Sequence, residues 1–186
     1  DPFYGAPVII MVLAKAGYGR YEISNYAKPG YECRHNIGYW TRENYLGLGL
    51  GAASLVDNVR YSNTRELDEY TAICHDLTIL PPEAFAPEDG MAAPERNWFG
   101  SNLHTEASVV SRKSQMEEFM FLGLRMTDGI ARDEFEHNFG MPIEAAYVQV
   151  LPELQAQGLI EKREGRIYLT DRGMDVANYV MAQFLL

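Results

Sequence analysis

Apolar positions recur with two different periods along this chain, and the change between them predicts its elements. Residues 8–16 are almost wholly apolar, follow Pro7 and stop at Gly17. Proline in a first turn and glycine after the last apolar position predict a helix. Residues 18–26 alternate and are rich in Tyr and Ile, which predicts a strand. Helix, glycine and strand in that order make one αβ step of a parallel sheet. Lys28, Pro29 and Gly30 break it, and residues 34–45 are polar, aromatic and irregular, with room for a short helix. Residues 45–56 alternate glycine with leucine: the small positions admit another backbone or a ligand, and the leucines are expected to face a core. Asp57 and Asn58 predict a turn, residues 59–62 a return strand. Leu67, Tyr70, Ile73, Cys74 and Leu77 fall at helical spacing, so residues 66–77 form an amphipathic helix.

From residue 81 the periodicity lapses. Pro81, Pro82, Pro87, Pro94, Gly90 and Gly100 mark a linker or mobile loop over residues 81–110, with Trp98 and Phe99 as anchors. The pattern then becomes regular. Residues 111–126 read as a helix rich in Met, Phe and Leu, and 132–139 as a second, ended by Gly140. Residues 142–157 read as a third helix in which Pro152 is placed to kink or break the chain. Residues 159–170 predict a hairpin with Glu164 and Gly165 at its tip, and 171–185 a last helix capped by Thr170 or Asp171. Helices followed by a small hairpin resemble a winged helix. The expected organisation is therefore α/β in three parts: residues 1–80, a linker over 81–110, and an α+β domain over 111–186.

Composition narrows the partners. Twenty-six acidic against sixteen basic residues give a net charge of −10, which repels phosphate backbones and anionic membranes. Nucleic acid is a poor partner, and a membrane is at most a peripheral one. No apolar run approaches the roughly 20 residues of a membrane span, and residues 8–13 lack a basic leader. The chain opens without Met inside a helical pattern and is expected to be part of a longer protein. Cys33 and Cys74 form no disulfide framework and belong to no cysteine cluster, which favours a reducing cytoplasmic location. They do not suffice to hold an iron–sulfur cluster.

The densest chemistry lies between Cys33 and Trp40, where Cys33, His35, Asn36, Tyr39 and Trp40 occupy eight positions. A soft ligand, an imidazole and two large aromatics so close together suit a flat metallocycle such as heme. If the segment is helical, His35 and Tyr39 share a face, and the His35 imidazole can ligate heme iron through a neutral ring nitrogen. The competing reading is a loop histidine bonded to backbone, with Tyr39 and Trp40 filling a core. Cys33 is either a thiolate assisting ligation or a small buried hydrophobe. Glu22, Ser24 and Asn25 fall at the expected end of a strand, where polar groups either face a ligand or tie the strand to its loop. The three methionines Met116, Met120 and Met126 are read as core packing.

The run YEISNYAKPGYECRHN, followed two residues later by YW, resembles oxygen-independent coproporphyrinogen III oxidase-like proteins of the radical SAM superfamily, in their heme chaperone (HemW) branch. The complete HNIGYW string matches the signature that separates heme-binding chaperones from true coproporphyrinogen oxidases, and LRMTDGI resembles the family's LGLR-T-GI turn. Where the family carries a histidine before Ser54, this chain has Ala53. The resemblance implies that residues 1–80 hold the last αβ step of a partial radical SAM barrel. Glu22, Ser24 and Asn25 would then border a pocket for S-adenosylmethionine or porphyrin. It implies a parent that binds heme, a 4Fe-4S cluster and S-adenosylmethionine, the last two mainly through an upstream three-cysteine motif, and that passes heme to acceptor proteins. Alternatives are radical decarboxylation of coproporphyrinogen III, or a non-catalytic interaction or winged-helix module. No catalytic residue is expected within these 186 residues.

Overall fold

The computed structural model describes residues 5–77 and 103–186, which fall into two compact units. One combines Asp1–Arg42 with Arg112–Leu186; the other is Glu43–Ser111. This division does not follow the sequence boundaries at 80 and 110, because the segment before residue 43 packs with the C-terminal part.

The first unit begins with helix α1 (Gly5–Lys15), stopped at Gly17 as the pattern predicts. The single strand expected over residues 18–26 is absent. In its place β1 (Gly19–Arg20) and β2 (Tyr26–Ala27) pair antiparallel, with Gly19 opposite Ala27. The chain turns back because the Tyr21 N–H donates to the Asn25 carbonyl at 3.2 Å and the Arg20 guanidinium donates to the Ile23 carbonyl. Glu22, fully buried, forms the inside of that turn. All strand pairs among the described residues are antiparallel, so the parallel neighbour of the expected αβ step is not among them. Helix α2 (Arg34–Trp40) follows; Thr41 Oγ1 donates to the Ile37 carbonyl, and Arg42 at φ 58° ends the helix.

The second unit is a three-stranded antiparallel sheet, β3 (Ala53–Val56), β4 (Val59–Asn63) and β5 (His104–Val109), with helix α3 (Leu67–Leu77). Asp57 and Asn58, at φ 49° and 62°, make the tight turn between β3 and β4. Strand β5 occupies what the sequence assigned to a linker; the rest of that interval, up to residue 102, lies outside the described residues. The glycine–leucine run corrects another expectation. Leu46, Leu48 and Leu50 are exposed, Leu48 by 83%. The loop's backbone claims the inside instead. Asn63 Nδ2 donates to the Gly47 and Gly49 carbonyls, the Gly47 N–H donates to Ser54 Oγ, and the Gly49 N–H donates to Tyr70 Oη. Satisfying those backbone groups turns the leucines outward.

The first unit resumes with α4 (Arg112–Gly123), β6 (Ile130–Ala131) and α5 (Arg132–Phe139), the last ended by Gly140 at φ 60°. The helix expected over 142–157 is two: α6 (Ile143–Ala146) and α7 (Val150–Ala156). Pro152 is not the break. It sits in the first turn of α7, where its missing N–H would have no intrahelical partner anyway. Strands β7 (Ile160–Arg163) and β8 (Arg166–Leu169) form the predicted hairpin, and β6 pairs with β8 to give the order β6-β8-β7. Gly129, at φ 63°, allows that pairing, since a Cβ there would collide with the Ile167 carbonyl. The last helix is also two, α8 (Asp171–Asp175) and α9 (Ala177–Ala182), with Thr170 Oγ1 accepting the Gly173 N–H as N-cap. The bend brings Val180 and Phe184 into the core, where Phe184 meets Tyr147 edge-on at 5.2 Å. Phe119, Phe135 and Phe139 form the aromatic centre of this core, with ring centroids 4.6–5.8 Å apart. Burying each such ring stabilises the fold by about 1.5–3 kcal/mol.

Candidate functional site

The segment that carries most of the candidate residues is local in origin. Lys28, Pro29 and Gly30 make a turn closed by the Tyr31 N–H on the Lys28 carbonyl, and Cys33, extended at φ −72°, starts α2 without giving it a side-chain cap. No residue of α2 is fully buried. Cys33 and His35 are exposed, which removes the reading of Cys33 as a small core hydrophobe. His35 and Tyr39 meet edge to face, centroids 4.8 Å apart at 82°. An imidazole held against an aromatic edge at the surface keeps ring nitrogens within reach of a ligand.

Trp40 belongs to a different environment. The Arg125 guanidinium lies 4.2 Å over its ring, and the indole Nε1, although buried, has no hydrogen-bond partner among the described residues. With Arg42, Phe119, Gly123 and Ile130 it lines a cavity of about 60 Å³. That space admits water and is far too small for a porphyrin. His35 and Tyr39 are not among the residues that line that cavity. Asn36, one turn before Trp40, is half-buried.

Glu22 is not at an open strand end. It has no exposed surface, its Oε1 accepts the Ser24 N–H at 2.7 Å and its Oε2 accepts from Arg125 Nη2 at 3.0 Å. Ser24 is exposed, and Asn25 lends its carbonyl to the turn. The structure thus brings His35 to Tyr39, and Glu22 to Arg125 and so to Trp40; it makes no contact between Ser24 or Asn25 and α2 among the bonds described. Arg125 is the residue that sequence reasoning missed. Its place in the LRMTDGI turn marked it only as part of a helix stop, and nothing local pairs it with a carboxylate 103 positions earlier.

The second unit holds a polar cluster that no local sequence pattern marks. His104 Nδ1 lies 3.0 Å from Asn63 Oδ1, and its ring meets Tyr61 edge-on at 4.6 Å. Burial lowers the His104 pKa below its ordinary value. Among the described residues no group of three or more His, Cys, Asp and Glu could hold a metal ion, and the two cysteines lie in different compact units.

A short helix carrying a histidine and a tyrosine is thus fastened by an arginine-stacked tryptophan to a helical part with a three-stranded sheet. Residues 110–176 match the HemN C-terminal domain. Along most of its length the chain is similar to proteins named heme chaperone HemW. It is 56% identical over 174 residues, 94% of its length, to the heme chaperone HemW of Escherichia coli, and 36% identical over 178 residues, 96% of its length, to that of Lactococcus lactis. It spans about two fifths of the length of these relatives, 40% in each case. Its fold is similar to that of a radical SAM enzyme, the coproporphyrinogen III oxidase HemN of Escherichia coli, with a TM-score of 0.63 over 97% of this chain and 40% of the other, at 16% identity. Among the described residues no helix is long and apolar enough to cross a membrane.

Proposed function

We propose that this chain is the heme-binding and C-terminal part of a heme chaperone, with His35 as the iron ligand. The observation that carries this reading is the exposed His35–Tyr39 edge on α2, within a chain whose relatives are named heme chaperones along nearly its whole length. The donors fit the group. A neutral imidazole nitrogen suits heme iron, Tyr39 offers a ring for the macrocycle, and the exposed Cys33 thiol stands two residues from His35 as an assisting ligand. Heme when bound supplies a porphyrin iron to be carried, so the protein's task is reversible grip. A ligand set exposed to solvent on a surface helix supports transfer to an acceptor protein better than a closed pocket does. The complete HNIGYW favours this over decarboxylation of coproporphyrinogen III.

The same reading gives the parent protein a 4Fe-4S cluster and S-adenosylmethionine, held mainly by residues outside this chain. In it, α1 with β1 closes a partial barrel, and Ser24 and Asn25 border its pocket. We also infer that α4 to β8 make a winged-helix-like unit, since four helical segments, α4 to α7, precede a hairpin to which β6 adds a third strand. Twelve acidic against eight basic residues over 111–186 suit a protein-facing role for that unit better than a phosphate-facing one. The test is a hemin titration: the full-length protein develops a Soret band, and His35→Ala weakens the binding and shifts the band. Unchanged spectrum and affinity in that variant would remove His35 as the ligand, and Cys33→Ser then tests the thiol.

A further inference from the structure

We propose that Arg125 is the positioning residue of the α2 segment, holding Trp40 by its guanidinium face and tying it to the β1–β2 turn through Glu22. The proposal rests on the function above, which assigns α2 the ligand, and it names how that segment is held.

Three observations converge. The Arg125 guanidinium lies 4.2 Å over the Trp40 ring, while Nη2 of the same group donates to Glu22 Oε2 at 3.0 Å. The backbone repeats the link: the Ile23 N–H donates to the Arg125 carbonyl at 3.0 Å, the Thr127 N–H to the Tyr21 carbonyl at 3.1 Å, and Glu22 bridges to Met126. Finally, Trp40 Nε1 has no hydrogen-bond partner among the described residues, so none of them fixes the ring through the indole N–H. Its orientation is set by packing and by the stacked cation.

The chemistry explains why arginine stands here. A planar guanidinium can stack on an indole and still donate in its own plane to a carboxylate; a lysine ammonium can do only one of these well. Glu22 fixes the other end. It is wholly buried, so its carboxylate needs the cation, and the cation needs a rigid acceptor to stay over the ring. Trp40 is the last residue of α2, one position after Tyr39. A tilt of the indole therefore moves the helix end that carries Tyr39, whose ring meets His35.

The decisive variant is Arg125→Lys, which keeps the charge that Glu22 requires and removes the planar stack. It is made in the 186-residue chain with Trp98→Phe, so that Trp40 is the remaining tryptophan. We expect Trp40 emission to become more accessible to acrylamide. Hemin affinity should fall about tenfold, the scale of one lost desolvated stack, while the Soret maximum keeps its wild-type position because the iron ligand is untouched. His35→Ala moves the maximum instead. Glu22→Gln, which retains the acceptor for Ser24, should shift quenching and affinity in the same direction as Arg125→Lys. Wild-type quenching in Arg125→Lys overturns the proposal, and so does increased quenching with wild-type hemin affinity. A wild-type chain that takes up no hemin removes the function proposed above, and the quenching arm then still decides whether Arg125 holds Trp40.

Discussion

Arg42 Nε donates to Glu118 Oε2 at 2.8 Å, and neither side chain keeps more than 10% of its surface exposed. Arg42 is also the left-handed residue that ends α2, so one position both stops the helix and anchors it to α4. A buried pair of this kind is costly to break from one side, because the remaining charge has no water to turn to. Glu118→Ala should therefore cost about 3 kcal/mol, read as a lower urea midpoint at unchanged slope. The double variant Arg42→Met with Glu118→Leu should lose much less than twice that. A Glu118→Ala midpoint equal to wild type would show that the pair is effectively solvated.

The two ends of α2 show what a sequence carries and what it does not. Turn chemistry is local, so Asp57 with Asn58, Glu164 with Gly165, and the cap at Gly140 are visible in two or three adjacent letters. The meeting of His35 with Tyr39 follows in the same way from four-residue spacing on a helix. The Arg125–Glu22 pair joins residues 103 positions apart, and no periodicity announces it. Leu46, Leu48 and Leu50 face outward for a related reason. Asn63 and Tyr70 reach back to the Gly47–Gly49 backbone, and that tertiary hydrogen bonding overrides the alternation. Residues 18–26 carry strand composition, yet burying Glu22 requires the chain to fold around it.

Tyr147 offers a test of the core. Its hydroxyl is buried with no hydrogen-bond partner among the described residues, and burial, reinforced by the negative charge of Glu117, holds the phenol well above the usual range. A buried hydroxyl without a partner costs free energy that a hydrogen does not. Tyr147→Phe is expected to be neutral or to stabilise by up to about 1 kcal/mol in thermal or urea unfolding. A loss larger than that would reveal a partner for the hydroxyl.

Unit two should weaken in acid through His104. Burial lowers its folded pKa below the ordinary 6.5, so the unfolded chain binds the proton more readily. The contribution is fully present above that unfolded value and is lost as pH falls through the folded one. His104→Gln, which can still donate to Asn63, should flatten the dependence below pH 6.5. A titration by NMR with the His104 pKa at or above the unfolded value would contradict this.

The C-terminal part is expected not to take up duplex DNA despite its helix-and-hairpin outline. Its excess of acid repels the backbone, and Arg125 and Arg132 are engaged with Glu22 and Glu144. Glu144 is pushed up by burial, but its backbone hydrogen bond, Lys162 and Arg132 outweigh that and hold it low and charged. Micromolar, salt-sensitive binding by the chain in a fluorescence anisotropy titration would count against the assignment.

The 186 residues alone should form no product of reductive S-adenosylmethionine cleavage. That reaction needs an electron from an iron–sulfur cluster, and cluster iron needs several thiolates at one place. The chain has two cysteines. Cys33 stands exposed before α2 in one unit, and Cys74 lies on α3 in the other. Even brought together, they supply fewer thiolates than a cluster of this kind takes. The chain would be reconstituted anaerobically with iron and sulfide, then supplied with dithionite and S-adenosylmethionine. Iron content, the charge-transfer absorbance of a cluster and 5′-deoxyadenosine are measured together. All three should stay at the level of a Cys33→Ser control, while hemin binding by the same preparation is retained. Stoichiometric cluster with product would mean that these residues hold the redox centre themselves, and the division of labour proposed for the parent protein would fall.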